Sequence, residues 1–189
     1  MAPVAISSTS ERLDNGLLVV VHEDHSAPLI AVHMRYDVGA GDESPRESGV
    51  AHLFEHLMFG GSANAPDGAY DALLAGVGGE NNAWTDHENT VYHSIVPREA
   101  LDLVLFLESD RMGWLEGGLT PEKLKNQRDV VAGEAADGAA RPGGRDIVAL
   151  NAALYPAGHP RHLPVIGDAS VLADLTVDDL LDFHRRWYG

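Results

Sequence analysis

Two histidines and a glutamate within five residues, His52-Leu53-Phe54-Glu55-His56, are the part of this sequence best equipped for chemistry. On a helix, residues three and four apart share a face. His52 and His56 can then aim their imidazoles at one point, with Glu55 beside them. Two neutral imidazoles one turn apart suit Zn2+, which takes nitrogen at about 2.0–2.1 Å. A carboxylate that stays off the metal can take a proton from water at the metal, whose pKa falls towards about 7. The neighbours Gly49, Val50, Ala51, Leu53, Phe54, Leu57, Met58 and Phe59 are small or apolar. Polar groups in such company are costly to desolvate unless something pairs with them, and a metal is the obvious partner. That context argues against a solvated helix carrying the three residues by chance. Cysteine is absent, so any metal here is held by His, Asp or Glu. Those ligands accept Mn2+ or Co2+ as well as zinc.

A catalytic zinc takes three protein ligands and keeps one position open. The third ligand must come from elsewhere in the chain. The residues alone leave Glu134, Glu108 and His93 as alternatives.

The elements that must position these groups follow from pattern. Gly16 to Val21 is a β-branched run after an Asp14-Asn15-Gly16 turn and reads as a strand. Ile30 to Tyr36 reads as a second strand, and the spacing fits antiparallel pairing of the two. Val38 to Ser48 has loop chemistry. From Ser48, a suitable N-cap, the pattern turns helical and runs to Phe59, where Gly60-Gly61 stops it. Pro66 to Ala75 reads as a helix. Asn82 to Thr85 and Thr90 to Val96 read as strands, and Arg98 to Trp114 as an amphipathic helix. Thr120-Pro121 is an N-cap followed by proline at the first helical position, opening a helix to about Asp137. Gly138 to Gly144 reads as loop, with helices again at Asp146 to Leu154 and Thr176 to Trp187. This order predicts an α+β fold, an antiparallel or mixed sheet packed with helices.

Bulk properties narrow the function classes. The 189 residues are expected to form one domain, residues 1–189. Apolar residues make up 44% and charged residues 22%, ordinary globular usage. Thirteen basic against 29 acidic residues leave a formal charge of −16. Such a surface repels nucleic acid and anionic membrane, and neither is expected as a partner. The start, Met1 to Ser7, lacks a basic region and an apolar run, and no window approaches the roughly 18 apolar residues of a membrane span. The expected location is the cytoplasm. No nucleotide-binding glycine pattern occurs.

The H-x-x-E-H order is the inverse of the usual zincin motif. It lies within Gly49-Val50-Ala51-His52-Leu53-Phe54-Glu55-His56-Leu57-Met58-Phe59-Gly60-Gly61, followed by Gly79-Glu80-Asn81-Asn82-Ala83-Trp84-Thr85 and Leu107-Glu108-Ser109-Asp110-Arg111-Met112. Then come Arg128-Asp129-Val130-Val131-Ala132-Gly133-Glu134, His159-Pro160 and Val165-Ile166-Gly167. In order and spacing these segments resemble the pitrilysin/insulinase family of zinc metallopeptidases, which includes the mitochondrial processing peptidases. The resemblance implies Glu134 as third zinc ligand and Glu55 as base. It also implies that Asn82 and Ala83 lie on an edge strand where the peptide substrate adds by main-chain hydrogen bonds.

The resemblance has two departures. Family members often carry a glutamate seven residues before the zinc-binding one, and here Gln127 stands in that place. Family domains also continue past the Trp187-Tyr188-Gly189 region, so the domain is expected to be truncated at its C-terminal end. A second homologous domain or subunit is the expected partner. The leading function is a zinc-dependent endopeptidase acting on peptides or unfolded segments. The alternative is a non-catalytic or partner-dependent subunit that binds peptide by edge-strand addition. A third reading, a metal-dependent hydrolase of another substrate, is disfavoured by the Asn82-Ala83 segment. The other histidines, His22, His25, His33, His87, His93, His159, His162 and His184, form no metal-like pairing in sequence and read as surface residues. Trp84, Trp114 and Trp187 read as core or interface anchors. Glu108 and Arg111 read as a structural i,i+3 pair, worth a few tenths of a kcal/mol if exposed.

Overall fold

The computed structural model describes residues 6–188; residues 1–5 and 189, which begin and end the expected domain and include most of the N-terminal segment read for a signal, lie outside the described residues. Alternating apolar and polar residues make β3, Leu29–Tyr36, a half-buried strand that turns Ile30, Val32, Met34 and Tyr36 inward. It pairs antiparallel with β5, Thr90–Pro97, from Leu29 opposite Pro97 to Tyr36 opposite Thr90. On the other side of β5 lies β4, Glu80–Thr85, also antiparallel, so the order is β3-β5-β4. The β4–β5 turn is closed by Asp86, whose Oδ1 accepts from the backbone N–H of Glu88 and Asn89 at 2.6 and 2.8 Å.

The expected pairing of the first two apolar runs is not made. β2, Leu18–Val21, pairs instead with β1, Thr9–Arg12, a strand not anticipated from pattern. The Asn15-Gly16 turn explains this. Gly16 has φ +93°, and Leu13 N–H donates to Leu17 O at 2.9 Å, so the turn folds β2 back on the residues before it. The two strands form a separate two-stranded sheet among the described residues.

The helices are α1 Val50–Leu57, α2 Ala69–Gly76, α3 Leu101–Trp114, α4 Pro121–Ala140, α5 Asp146–Leu154, α6 Ala169–Asp174 and α7 Val177–Trp187. α4 begins as expected: Thr120 Oγ1 accepts from Lys123 N–H at 3.2 Å with Pro121 at the first position. It runs beyond Asp137 and takes in Gly138, where the sequence pattern predicts loop. α6 was not anticipated; it is short and capped by Asp168, which accepts from Ser170 N–H at 2.8 Å. α7 opens with a capping box between Thr176 and Asp179.

The main core gathers Leu53, Phe54 and Leu57 of α1 with Tyr92, Leu180 and Phe183. A second cluster joins Tyr70, Leu74, Val96, Val104 and Leu107. Trp187 packs against the main core, whereas Trp84 and Trp114 are exposed. No helix among the described residues is long and apolar enough to cross a membrane.

Glu108 and Arg111 depart from the surface-pair reading, since each side chain is only 2% exposed. Val104, Leu107, Glu108 and Arg111 share the face of α3 turned to the interior. The pair is bidentate, with Arg111 Nε donating to Glu108 Oε2 at 3.0 Å and Nη2 to Oε1 at 2.6 Å. Tyr70 Oη adds a bond to Glu108 Oε1 at 2.7 Å, and the guanidinium lies 4.3 Å from the Tyr92 ring centroid. Removing one partner strands the other charge. Glu108→Ala is expected to lose about 3–5 kcal/mol of stability in urea denaturation. A loss under about 1 kcal/mol would mark the pair as effectively solvated.

Candidate metal centre

The segment carrying both motif histidines is α1, and its start is built from outside the helix. Ser48 does not cap it. The N-cap is Gly49 at φ +92°, which has no side chain to offer. Glu43 takes the role: Oε2 accepts from Gly49 N–H and Oε1 from Ala51 N–H, both at 2.8 Å. Burial pushes the Glu43 carboxyl up to about 7, with those two N–H bonds pulling the other way. A Cβ on Gly49 would meet Ile166 O at 2.8 Å, and one on Gly167 would lie 2.2 Å from the Gly49 Cα. The two glycines thus let the loop before α6 press backbone to backbone on the start of α1.

Behind α1, Phe54 meets Tyr188 and Phe183 of the C-terminal segment at ring-centroid distances of 4.6 and 5.5 Å. His184 stacks on the same ring at 5.9 Å. Contrary to the surface reading, His184 is buried, and its Nε2 has no hydrogen-bond partner among the described residues. Burial lowers its pKa and keeps the ring neutral; Glu116 opposes that shift and Arg185 adds to it.

With its buried face held, α1 turns His52 and His56 toward α4. Glu134 Oε2 lies 3.4 Å from His56 Nε2 and 3.8 Å from His52 Nε2. The three ligand atoms all fall within 4.8 Å of one another. Tetrahedral zinc with bonds near 2.0–2.1 Å sets its ligand atoms about 3.3–3.5 Å apart, so a small contraction would seat the ion. Burial lowers the pKa of His52 and so favours the neutral, ligating form; His56 reinforces this and Glu134 opposes it. Glu55 is not one of the three. Thr85 Oγ1 on β4 donates to its Oε2 at 2.5 Å. Burial raises the Glu55 pKa, and the Thr85 bond works against the rise.

The two other candidates for third ligand lie elsewhere. Glu108 is locked to Arg111, and His93 stands on β5 against His33 and Trp84. Gln127 lies two turns before Glu134 on α4 and is half-buried. Asn82 and Ala83 are on β4, the edge strand of its sheet, beside α1. Ala83 packs inward, and Asn82 is exposed with its Oδ1 accepting from Ala83 N–H at 2.8 Å. Glu43, Thr85 and His184 were not singled out in sequence as supports of the site. Only for Glu43 was there a signal, an acid shortly before a helix whose N-cap glycine cannot cap it.

Residues 18–159 match the model of the family described as Insulinase (Peptidase family M16). The chain belongs to that family. It is 32% identical over 183 residues to the zinc protease PqqE of Helicobacter pylori, covering 95% of this chain and 40% of that protein. An uncharacterized zinc protease of Mycobacterium tuberculosis is 32% identical over 184 residues, covering 97% of this chain and 41% of its own. The crystal structure of a protease from Helicobacter pylori superposes with a TM-score of 0.90 at 31% identity, covering 97% of this chain and 44% of that one. This insulinase-family chain therefore spans about 40% of the length of those relatives. Its α+β architecture agrees with the fold expected from the sequence.

Two outcomes test what holds α1. Glu43→Ala removes both acceptors at the helix start and is expected to cost about 0.5–2 kcal/mol in urea denaturation, as other lost caps do; an unchanged midpoint would remove Glu43 as the anchor. The neutral His184 gives stability that is complete above its ordinary pKa of about 6.5 and is lost as pH falls through that value, because the unfolded chain then binds a proton that the fold refuses. As pH falls below about 6.5 the wild-type urea midpoint is expected to drop relative to that of His184→Gln, while the raised Glu43 carboxyl, which adds stability as pH falls, acts equally on both proteins. Equal slopes in the two proteins would exclude His184 as the source.

Proposed function

We propose that this chain is the metal-bearing part of a zinc-dependent endopeptidase that cleaves peptides or unfolded segments. The observation that carries the reading is the approach of His52, His56 and Glu134 to within 4.8 Å, with Glu55 on the same helix as the two histidines. His52, His56 and Glu134 would hold the ion, and their donor set of two imidazole Nε2 atoms 3.8 and 3.4 Å from one carboxylate oxygen suits a divalent cation. Zinc bound there supplies a Lewis acid for the scissile carbonyl and lowers the pKa of water to about 7.

The remaining work falls to side chains and backbone. Glu55 accepts the proton of the attacking water and returns it to the leaving amine. Thr85, by donating to Glu55 Oε2, fixes that carboxylate and couples it to β4. The free edge of β4 at Asn82 and Ala83 receives the substrate backbone as an added strand, which gives affinity without demanding sequence. Main-chain pairing suits a peptidase of extended segments better than a hydrolase of another substrate class.

A second homologous domain or subunit is the partner this reading requires, supported by the share of the relatives' length that the chain spans. A specific observation favours partner dependence. α5 has no buried residue, and Ile147, Val148, Leu150 and Leu154 on it are all exposed. Apolar side chains massed on one helix mark a contact surface.

The test is direct. The purified chain is expected to retain one zinc and Glu134→Gln to lose it. Glu55→Gln is expected to keep the metal and to lose about 10^2–10^4 in cleavage rate. Full turnover by Glu55→Gln would remove Glu55 as the base. Cleavage that appears only when a homologous partner domain is added would establish a split enzyme.

A further inference from the structure

One row of side chains crosses the three-stranded sheet on the face opposite the main core. Asn82 on β4, His93 on β5 and His33 on β3 are successive register partners. Their strands alternate so that the inward positions are taken by Met34, Ala83 and Tyr92, which leaves this row outside. The His33 and His93 rings are nearly parallel, at 18°, with centroids 5.4 Å apart. Trp84 stands beside both, 5.6 Å from His93 and 6.3 Å from His33.

We infer that His33 and His93 form a second metal site, a two-imidazole clamp for a transition ion, separate from the His52, His56 and Glu134 trio. Directly opposed residues on antiparallel strands start with Cβ atoms about 4.5–5.5 Å apart on a backbone the ladder already holds rigid. An ion with bonds of about 2.0–2.1 Å needs the two ring nitrogens about 3–4 Å apart, which rotation about the ring torsions brings within reach. Asn82 is next in the row, but its Oδ1 is taken by Ala83 N–H at 2.8 Å and adds no ligand. The only grouping of three or more potential metal-binding side chains among the described residues is the trio, so the clamp has two protein nitrogens and leaves the other positions to water. Such a site is weaker than a three-ligand one and favours ions high in the Irving–Williams order, Cu2+ above all. The formal charge of −16 raises the local concentration of cations. The inference does not depend on peptidase activity.

Trp84 serves as reporter, because bound Cu2+ quenches a nearby indole. The full chain, first loaded with zinc, is titrated with Cu2+ and followed by tryptophan fluorescence. A saturable quench is expected in the wild type and, at the same midpoint, in the double variant His52→Gln/His56→Gln, whose trio keeps no imidazole. It is expected to vanish in Trp84→Phe, which leaves Trp114 and Trp187 as the only indoles. Loss of saturation in both His33→Gln and His93→Gln, with circular dichroism unchanged, supports the clamp. An unaltered midpoint in either histidine variant overturns it. So does a quench that disappears in that double variant, which would assign the copper to the trio.

Discussion

The approach of α1 to α4 is the constraint on which the rest of this structure depends. Two imidazoles on one helix can be aligned by helical spacing alone, but a third ligand on another helix requires the two axes to be held in a set relation. That relation is maintained from three sides. Glu43 ties the first turn of α1 to the preceding loop, and the Gly49–Gly167 backbone contact ties it to the segment before α6. Leu53, Phe54 and Leu57 bury its other face among Tyr92, Leu180 and Phe183. Each support is local and of modest strength. Together they leave the helix little freedom to roll, and rolling would separate the imidazoles from Glu134.

Buried polar groups are treated in two contrasting ways. Glu108 and Arg111 pair through a bidentate bond, a tyrosine hydroxyl and aromatic faces, which leaves only Arg111 Nη1 of the two side chains without a hydrogen-bond partner among the described residues. The trio is different: its like-facing imidazoles and one carboxylate lie near each other without closing into hydrogen-bonded pairs. Desolvation there favours neutral histidine, the ligating form. The same physics serves stability in the first case and keeps the imidazole of His52 neutral in the second. Thr85 connects this chemistry to β4, so the strand proposed to receive substrate and the proposed base are joined by one hydrogen bond.

Much of the architecture was legible in the residues. The Thr120-Pro121 start of α4, the Asp146–Leu154 helix and the alternation of β3 are local signals, set by capping, proline and period-two patterning. The errors also have local causes. Asn15-Gly16 marks a turn without saying which neighbour it closes on, and β2 folded back onto β1 rather than forward onto β3. Ser48 has a capping side chain, yet the left-handed Gly49 after it is the N-cap and hands the task to Glu43. A surface and a buried i,i+3 ion pair look alike in sequence, and only the orientation of α3 put Glu108 and Arg111 inside.

The sequence by itself determined that His52, Glu55 and His56 share a helical face in apolar surroundings, because helical periodicity is a local property. It also determined the absence of thiolate ligands and the strongly acidic surface. Family likeness, not spacing, pointed to Glu134 over Glu108 and His93. Tertiary structure decided which carboxylate meets the two imidazoles, and it also set His33 against His93 on neighbouring strands. Residues distant along the chain become neighbours only through helix packing and strand register, and neither is written in the spacing of a short motif.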